Sequence, residues 1–194
     1  MIGCAESVDL LHHSGFIHRD IKLNNFVMTP DSIRLIDFDT LTFDPSDSAA
    51  HLLGTPYYFS KEYFIEEIAT QASDIWALGV SFLCAIFSGA QATLPYQMIH
   101  WLLGSGNIKC FSDMSYLFNL TSIDYRNDVS IGEINDGFHS LCELLESDDI
   151  DFLEPTSFQL NAAKLVFDYL LCEPTSRSIS RFLELFKLIP LNAE

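Results

Sequence analysis

From Ile75 to Ile108 the chain carries no Asp, Glu, Lys or Arg. A charge-free run of that length belongs either in a protein core or in a lipid bilayer, so it limits the fold more than any other feature. Gly79, Ser81, Ser88, Gly89, Gln91, Thr93, Pro95 and Gln97 interrupt it, and its strongest apolar part ends near Gly89, short for a membrane span. The run therefore predicts a buried core helix, with Ser73-Asp74 offering its N-cap and an end near Ser88. Tyr96 to Leu103 predicts a short amphipathic helix.

A core helix needs partners, and the flanking sequence supplies them. Residues 4–13 place Cys4, Val8 and Leu11 on one helical stripe that stops at Gly15. Phe26-Val27-Met28 and Ile33-Arg34-Leu35-Ile36 flank the turn signal Thr29-Pro30-Asp31-Ser32, which predicts a small hairpin. Residues 39–60, rich in Ser, Thr, Asp, Gly and Pro, predict a long surface loop. Near the end, Phe158–Leu171 has helical spacing, Glu173-Pro174 ends it, and Ile179–Leu188 forms a last helix. The expected class is mainly α with one β-hairpin. At 194 residues and 21.9 kDa, one domain or at most two small ones is the prior.

Charge excludes some functions. Ten Lys and Arg against 27 Asp and Glu give −17 with histidine neutral, and a pI near 4.4. Nothing in this balance suits nucleic acid or an anionic membrane surface, so neither is expected as a partner. The charge is local: residues 104–157 hold eleven Asp and Glu but only Lys109 and Arg126. That stretch reads as an acidic surface insertion with one amphipathic helix near 136–146, and as a surface open to a partner. With 48% apolar residues the chain is no disordered acidic tail, and the acidity is read as serving solubility before attraction of basic substrates. Five cysteines, an odd number without Cys-x-x-Cys spacing, fit a reducing cytoplasmic or nuclear setting rather than a disulfide scaffold or zinc site. The first residues lack the basic start of a secretory signal and read as a helix already under way.

The chemistry concentrates in His18-Arg19-Asp20-Ile21-Lys22-Leu23-Asn24-Asn25, just before the first strand. An acid, a cation and an amide on one loop suit phosphoryl transfer. A carboxylate can accept a hydroxyl proton, a lysine two residues on can offset phosphoryl charge, and an amide oxygen can ligate magnesium. Asp37-Phe38, at the end of the second strand, offers another hard oxygen ligand for Mg²⁺.

These residues resemble the catalytic loop of eukaryotic-type protein kinases, and other segments match that family in order. Asp37-Phe38-Asp39 resembles its Asp-Phe-Gly motif. Gly54-Thr55-Pro56-Tyr57-Tyr58-Phe59-Ser60-Lys61-Glu62 resembles the substrate loop that closes with Ala-Pro-Glu. Ser73-Asp74-Ile75-Trp76-Ala77-Leu78-Gly79-Val80 resembles the central helix of the large lobe, and Glu173-Pro174-Thr175-Ser176-Arg177 the segment whose arginine meets the Ala-Pro-Glu glutamate. The resemblance spans about 1–188, with 104–157 matching poorly. Lys22 and Gly54-Thr55-Pro56 point to the serine/threonine branch, and small-molecule phosphotransferases lack the latter loop and the Asp-x-Trp helix.

The resemblance implies a set of roles. Asp20 is the catalytic base and Lys22 the phosphate contact. Asn25 and Asp37 hold Mg²⁺ and with it ATP, Val27 floors the adenine pocket, and Thr55 orients Asp20 and Lys22. His18 and Phe38 pack. Asp74 caps its helix and braces the catalytic loop, and Glu62 and Arg177 form a buried ion pair. Arg19 would meet a phosphorylated loop residue, with Ser46 and Ser48 as candidates. The substrate would be a protein with Ser or Thr.

Departures temper this. Asp39 stands where the family has a glycine able to take left-handed backbone angles, and Ser60-Lys61 replace Ala-Pro. No Gly-x-Gly-x-x-Gly loop and no Val-Ala-x-Lys strand occurs. The expectation is thus a large, C-terminal lobe with the small lobe absent, a truncated kinase domain, weak or inactive in isolation. The alternative is a pseudokinase-like interaction module that binds a partner protein on the face the small lobe normally covers.

Overall fold

The computed structural model describes residues 1–43, 52–87, 129–144 and 154–190. Much of the acidic stretch, the helix expected at Tyr96–Leu103, and Ser46 and Ser48 lie outside them. Among the described residues the architecture is mostly helical with one two-stranded sheet. In chain order come α1 (Ile2–His13), β1 (Phe26–Met28), β2 (Ile33–Leu35), α2 (Lys61–Glu66), α3 (Gln71–Ile86), α4 (Ile131–Leu144), α5 (Ser157–Tyr169) and α6 (Ile179–Phe186).

The central element is α3, from the charge-free run. Its Trp76, Leu78, Val80, Phe82 and Leu83 are all buried, on every side of the helix, as an interior helix requires. Each such side chain contributes about 1.5–3 kcal/mol by leaving water. Against α3 pack α5, through Ala162, Ala163, Val166 and Phe167, and α1, through Cys4, Ala5 and Val8. Phe182 of α6 meets Phe82 at 5.4 Å between ring centroids. Gly79 permits the close approach of α3 to the end of α5, since a methyl there would lie 2.8 Å from the Leu171 side chain. No described helix is long and apolar enough to cross a membrane.

Two helix starts differ from expectation for one physical reason, local capping. Thr70, not Ser73-Asp74, caps α3: its hydroxyl accepts from the Ser73 amide at 3.2 Å, and the Ser73 hydroxyl oxygen accepts from the Thr70 amide at 3.0 Å. Asp74 is thereby free to point elsewhere. In α4, the Glu133 carboxylate accepts from the Ser130 amide at 2.9 Å and the Ser130 hydroxyl accepts from the Glu133 amide at 3.2 Å, so the helix begins at Ile131 rather than near 136. The loop expected over 39–60 contains a 3₁₀ turn at Pro56–Tyr58, followed by α2, which Ser60 caps through the Tyr63 amide.

The hairpin pairs Phe26 with Leu35, Val27 with Arg34 and Met28 with Ile33, antiparallel. It leans on α1, where the Ser7 hydroxyl donates to the Ile33 carbonyl at 2.9 Å. Ile36 falls outside the strand, but its amide still donates to the Asn25 carbonyl at 2.9 Å. This bond ties the segment after the hairpin to the end of the loop before it.

Candidate active site

Residues 17–25 form the loop between α1 and β1, and buried groups hold it from beneath. The Asp74 carboxylate accepts from the His18 amide at 2.7 Å, the Arg19 amide at 2.9 Å and the His12 Nε2 at 3.0 Å. Arg19 takes φ of 70°, a left-handed angle unusual for a non-glycine residue. The Asp74 bond, and the Arg19 Nε donating to the Thr40 carbonyl, hold it there. His18 is fully buried and its Nδ1 accepts from the Asp20 amide at 3.3 Å. Its Nε2 then carries the proton, facing the Ile36 carbonyl at 3.1 Å. The His18 ring lies 5.4 Å from the Phe38 ring, although Phe38 is itself half exposed.

Above this base, four side chains close on one another. Lys22 Nζ donates to Asp20 Oδ2 at 2.7 Å and to Thr55 Oγ1 at 2.9 Å, and Thr55 Oγ1 donates to Asp20 Oδ1 at 2.7 Å. Asn25 Nδ2 donates to the Asp20 carbonyl at 2.8 Å and to Oδ2 at 3.2 Å. Burial pushes the Asp20 carboxyl up, but the hydrogen bonds from Lys22, Thr55 and Asn25 and the lysine charge outweigh it. The net shift is downward. Tyr58, from the 3₁₀ turn below, is pushed up to about 12, by burial first and then by Cys84 and Asp20.

Gly54 brings Thr55 to the loop. Its φ is 108°, and a Cβ there would meet the Arg19 carbonyl oxygen at 2.2 Å. Only glycine lets the two backbones approach this closely. Tyr63 holds the same segment from the other side, its hydroxyl donating to the Leu53 carbonyl at 3.0 Å and accepting from the Leu53 amide at 2.9 Å.

Two residues could offer oxygen atoms to a cation. Asn25 spends its amide nitrogen on Asp20, and its Oδ1 accepts no hydrogen bond from the described residues. Asp37 is exposed at the end of β2 and takes φ of 65°. The left-handed angle therefore falls on Asp37, not on Asp39 where the sequence predicts a need for glycine. An amide oxygen and a carboxylate oxygen suit a hard divalent cation. Val27 lies on β1 and is exposed.

A second anchored pair stands away from the loop. Arg177 Nη1 donates to Glu62 Oε1, Nη2 to Oε2 at 3.4 Å, Nε to the Cys172 carbonyl at 2.9 Å and Nη1 to the Ala72 carbonyl at 2.8 Å. Its guanidinium carbon lies 5.1 Å from the Trp76 ring centroid. The Arg177 side chain is wholly buried.

Comparison with known proteins places this geometry in a family. The family profile described as the protein kinase domain matches residues 1–102. The chain belongs to the protein kinase domain family. Among its kinase relatives, "Probable serine/threonine-protein kinase mkcF" of Dictyostelium discoideum is 35% identical over 83 residues, 42% of this chain and 12% of that protein. The 3-phosphoinositide-dependent protein kinase 1 of Rattus norvegicus is 34% identical over 96 residues, 47% of this chain and 16% of its own length. Cytokinesis protein sepH of Aspergillus niger is 37% identical over 87 residues, 44% of this chain and 6% of its own. The chain thus spans less than a fifth of these relatives. The matched kinase segment holds Asp20, Lys22, Asn25, Asp37, Thr55 and Asp74, while Arg177 lies beyond it.

Sequence reasoning missed His12, Thr70 and Tyr63 at this site. Thr70 and Ser73 at capping spacing were a readable signal for the helix start. His12 and Asp74 are 62 residues apart, and no local pattern joins them.

Proposed function

We propose that this chain is the large lobe of a serine/threonine protein kinase domain and carries its phosphoryl-transfer groups. The closed set of Asp20, Lys22, Thr55 and Asn25 is the observation that carries this reading. Asp20, kept ionised by its donors, accepts the proton of a protein Ser or Thr hydroxyl. Lys22 offsets charge on the transferring group, and Thr55 keeps both aimed. Asn25 Oδ1 and Asp37 would hold Mg²⁺ with the phosphates of ATP, and Val27 would floor the adenine. When bound, the metal and nucleotide supply the phosphoryl group and neutralise its charge. His18, Phe38, Asp74 and the Glu62–Arg177 pair are structural in this account, and Arg19 awaits a phosphorylated loop residue. The chain works in the cytoplasm or nucleus, where its thiols stay reduced.

The 194 residues hold neither a glycine-rich loop nor a Val-Ala-x-Lys strand. By themselves they transfer phosphate weakly or not at all. Two assays test this. Thermal denaturation with Mg-ATP shows stabilisation that Asp37→Ala removes if the metal-side half-site works. Labelled phosphate incorporated linearly into a basic protein, and abolished by Asp20→Ala, would overturn the expectation of weak activity.

A second reading, a non-catalytic interaction module, is favoured by apolar side chains exposed on α1, the hairpin and the segment after it, among them Leu10, Met28 and Phe38. Absence of any Mg-ATP response would favour it.

A further inference from the structure

Tyr63 is fixed in place before its hydroxyl makes any contact. Its amide donates to the Ser60 hydroxyl at 3.3 Å, and its carbonyl accepts from the Glu67 amide at 3.0 Å. Glu67 closes α2 there with a left-handed φ of 55°. The Tyr63 ring is 3% exposed, meets the Phe59 ring edge-on at 4.9 Å and packs in a small cluster with Ile17 and Ala69.

A tyrosine hydroxyl has one proton to give and lone pairs with which to accept. Here both roles go to one residue, since the hydroxyl donates to the Leu53 carbonyl at 3.0 Å and accepts from the Leu53 amide at 2.9 Å. Among the described residues these are the only hydrogen bonds to the Leu53 backbone. The Leu53 side chain is exposed, so packing does little to hold the residue. Burial pushes the Tyr63 hydroxyl up, which keeps its proton available to donate. From Leu53 the chain passes through Gly54 to Thr55, whose carbonyl accepts from the Tyr58 amide at 3.0 Å. Thr55 thus stands between two anchors, a backbone turn on one side and the Tyr63 side chain on the other.

We propose that Tyr63 is a positioning residue for phosphoryl transfer, its hydroxyl acting through Leu53 and Gly54 to hold Thr55 against Asp20 and Lys22. Phenylalanine at this position would keep the ring and leave both Leu53 backbone groups without their partner. Gly54 has no side chain to resist rotation, so the freed segment would let Thr55 drift from the loop. The Thr55 hydroxyl would then no longer reach both Asp20 Oδ1 and Lys22 Nζ. This role rests on the reading of Asp20 and Lys22 as transfer groups, but its test needs no nucleotide. If Mg-ATP has no effect, the transfer reading fails whatever Lys22 shows. If Lys22 ignores Tyr63, the positioning role fails and the transfer reading stands.

The test is nitrogen NMR of the Lys22 ammonium in the 194-residue chain labelled at lysine. In the parent chain its two acceptors, Asp20 and Thr55, slow the exchange of its protons with water. Thr55→Val removes one acceptor and should quicken that exchange about tenfold. Tyr63→Phe should reproduce the change, and the double variant should add nothing to it. Ile17→Val trims the same cluster but leaves the hydroxyl bonds alone, so the Lys22 signal should stay where it is. Circular dichroism verifies that each variant is folded. A Lys22 signal unmoved by Tyr63→Phe, moved as far by Ile17→Val, or additive in the double variant would overturn the proposal. The parent chain supplies a check that needs no substitution. Its Leu53 amide, bonded only to a side chain, should exchange with deuterium at least about tenfold more slowly than in an unfolded peptide. An unprotected Leu53 amide would sink the proposal as well.

Discussion

The backbone of Gly54 runs so close to Arg19 that a methyl group on its α-carbon would lie 2.2 Å from the Arg19 carbonyl oxygen. This approach sets Thr55 at hydrogen-bond distance from both Asp20 and Lys22. Gly54→Ala therefore carries two penalties, a clash with fixed backbone and a φ of 108° that an L side chain resists. The variant should lose about 2 kcal/mol or more in urea unfolding. Serine at the neighbouring Thr55, which keeps the hydroxyl, should lose far less.

Asp20 titrates below its ordinary value because its donors outweigh burial. A carboxyl whose folded-state pKa is depressed contributes stability above its unfolded value, 3.8, and loses it as pH falls through the folded one. Without Thr55 and Lys22 only the Asn25 hydrogen bond is left to oppose the upward push of burial. In Thr55→Val and Lys22→Met the Asp20 carboxyl should titrate at higher pH than in the parent chain, read by carbon NMR of the labelled carboxyl. Acid unfolding should begin at correspondingly higher pH. An unmoved midpoint in both variants would show that these donors do not set it.

Asp74 is buried and accepts from two consecutive loop amides and from His12. Asp74→Asn turns an NH₂ toward at least one of these donors. The expected cost is about 2–3 kcal/mol, or a melting temperature lower by about 5–10 °C for a chain of this size. Hydrogen exchange should quicken at the His18 and Arg19 amides before it does in α3.

Arg177 is wholly buried against Glu62. Glu62→Gln or Arg177→Met alone should destabilise by about 3–5 kcal/mol, since each leaves a buried charge without its counterpart. The pair of substitutions together should cost clearly less than their sum, and a double-mutant cycle by urea denaturation measures the difference.

How much of this was visible beforehand follows the distance between interacting residues. Asp20, Lys22 and Asn25 lie within one six-residue stretch, so their types and spacing were enough to mark a phosphoryl-transfer loop. The helix stripe of α1 and the hairpin were legible for the same reason. Arrangements across long intervals were not. No local pattern reveals that Gly54 must approach Arg19, or that His12 closes on Asp74 across 62 positions. The family resemblance joined Glu62 to Arg177, which periodicity alone could not do. Asp74 shows the limit of a local rule: beside Ser73 it looks like a helix cap, yet Thr70 takes that task and leaves the carboxylate for the loop. Asp39 shows another, since the left-handed angle sits two residues earlier.

The contacts of Arg177 with Glu62 and Ala72, and of the Gln159 amide with the Ile86 carbonyl at 2.6 Å, tie the last third of the chain back onto its first half. Together with the seating of Gly79 against Leu171, they make these two portions halves of one body despite the long interval of sequence between them. A protease that severs one peptide bond within residues 104–128 would yield two polypeptides that remain associated. They would part under denaturant and not under dilution, so an intact native mass after a nick is the signature of this closure.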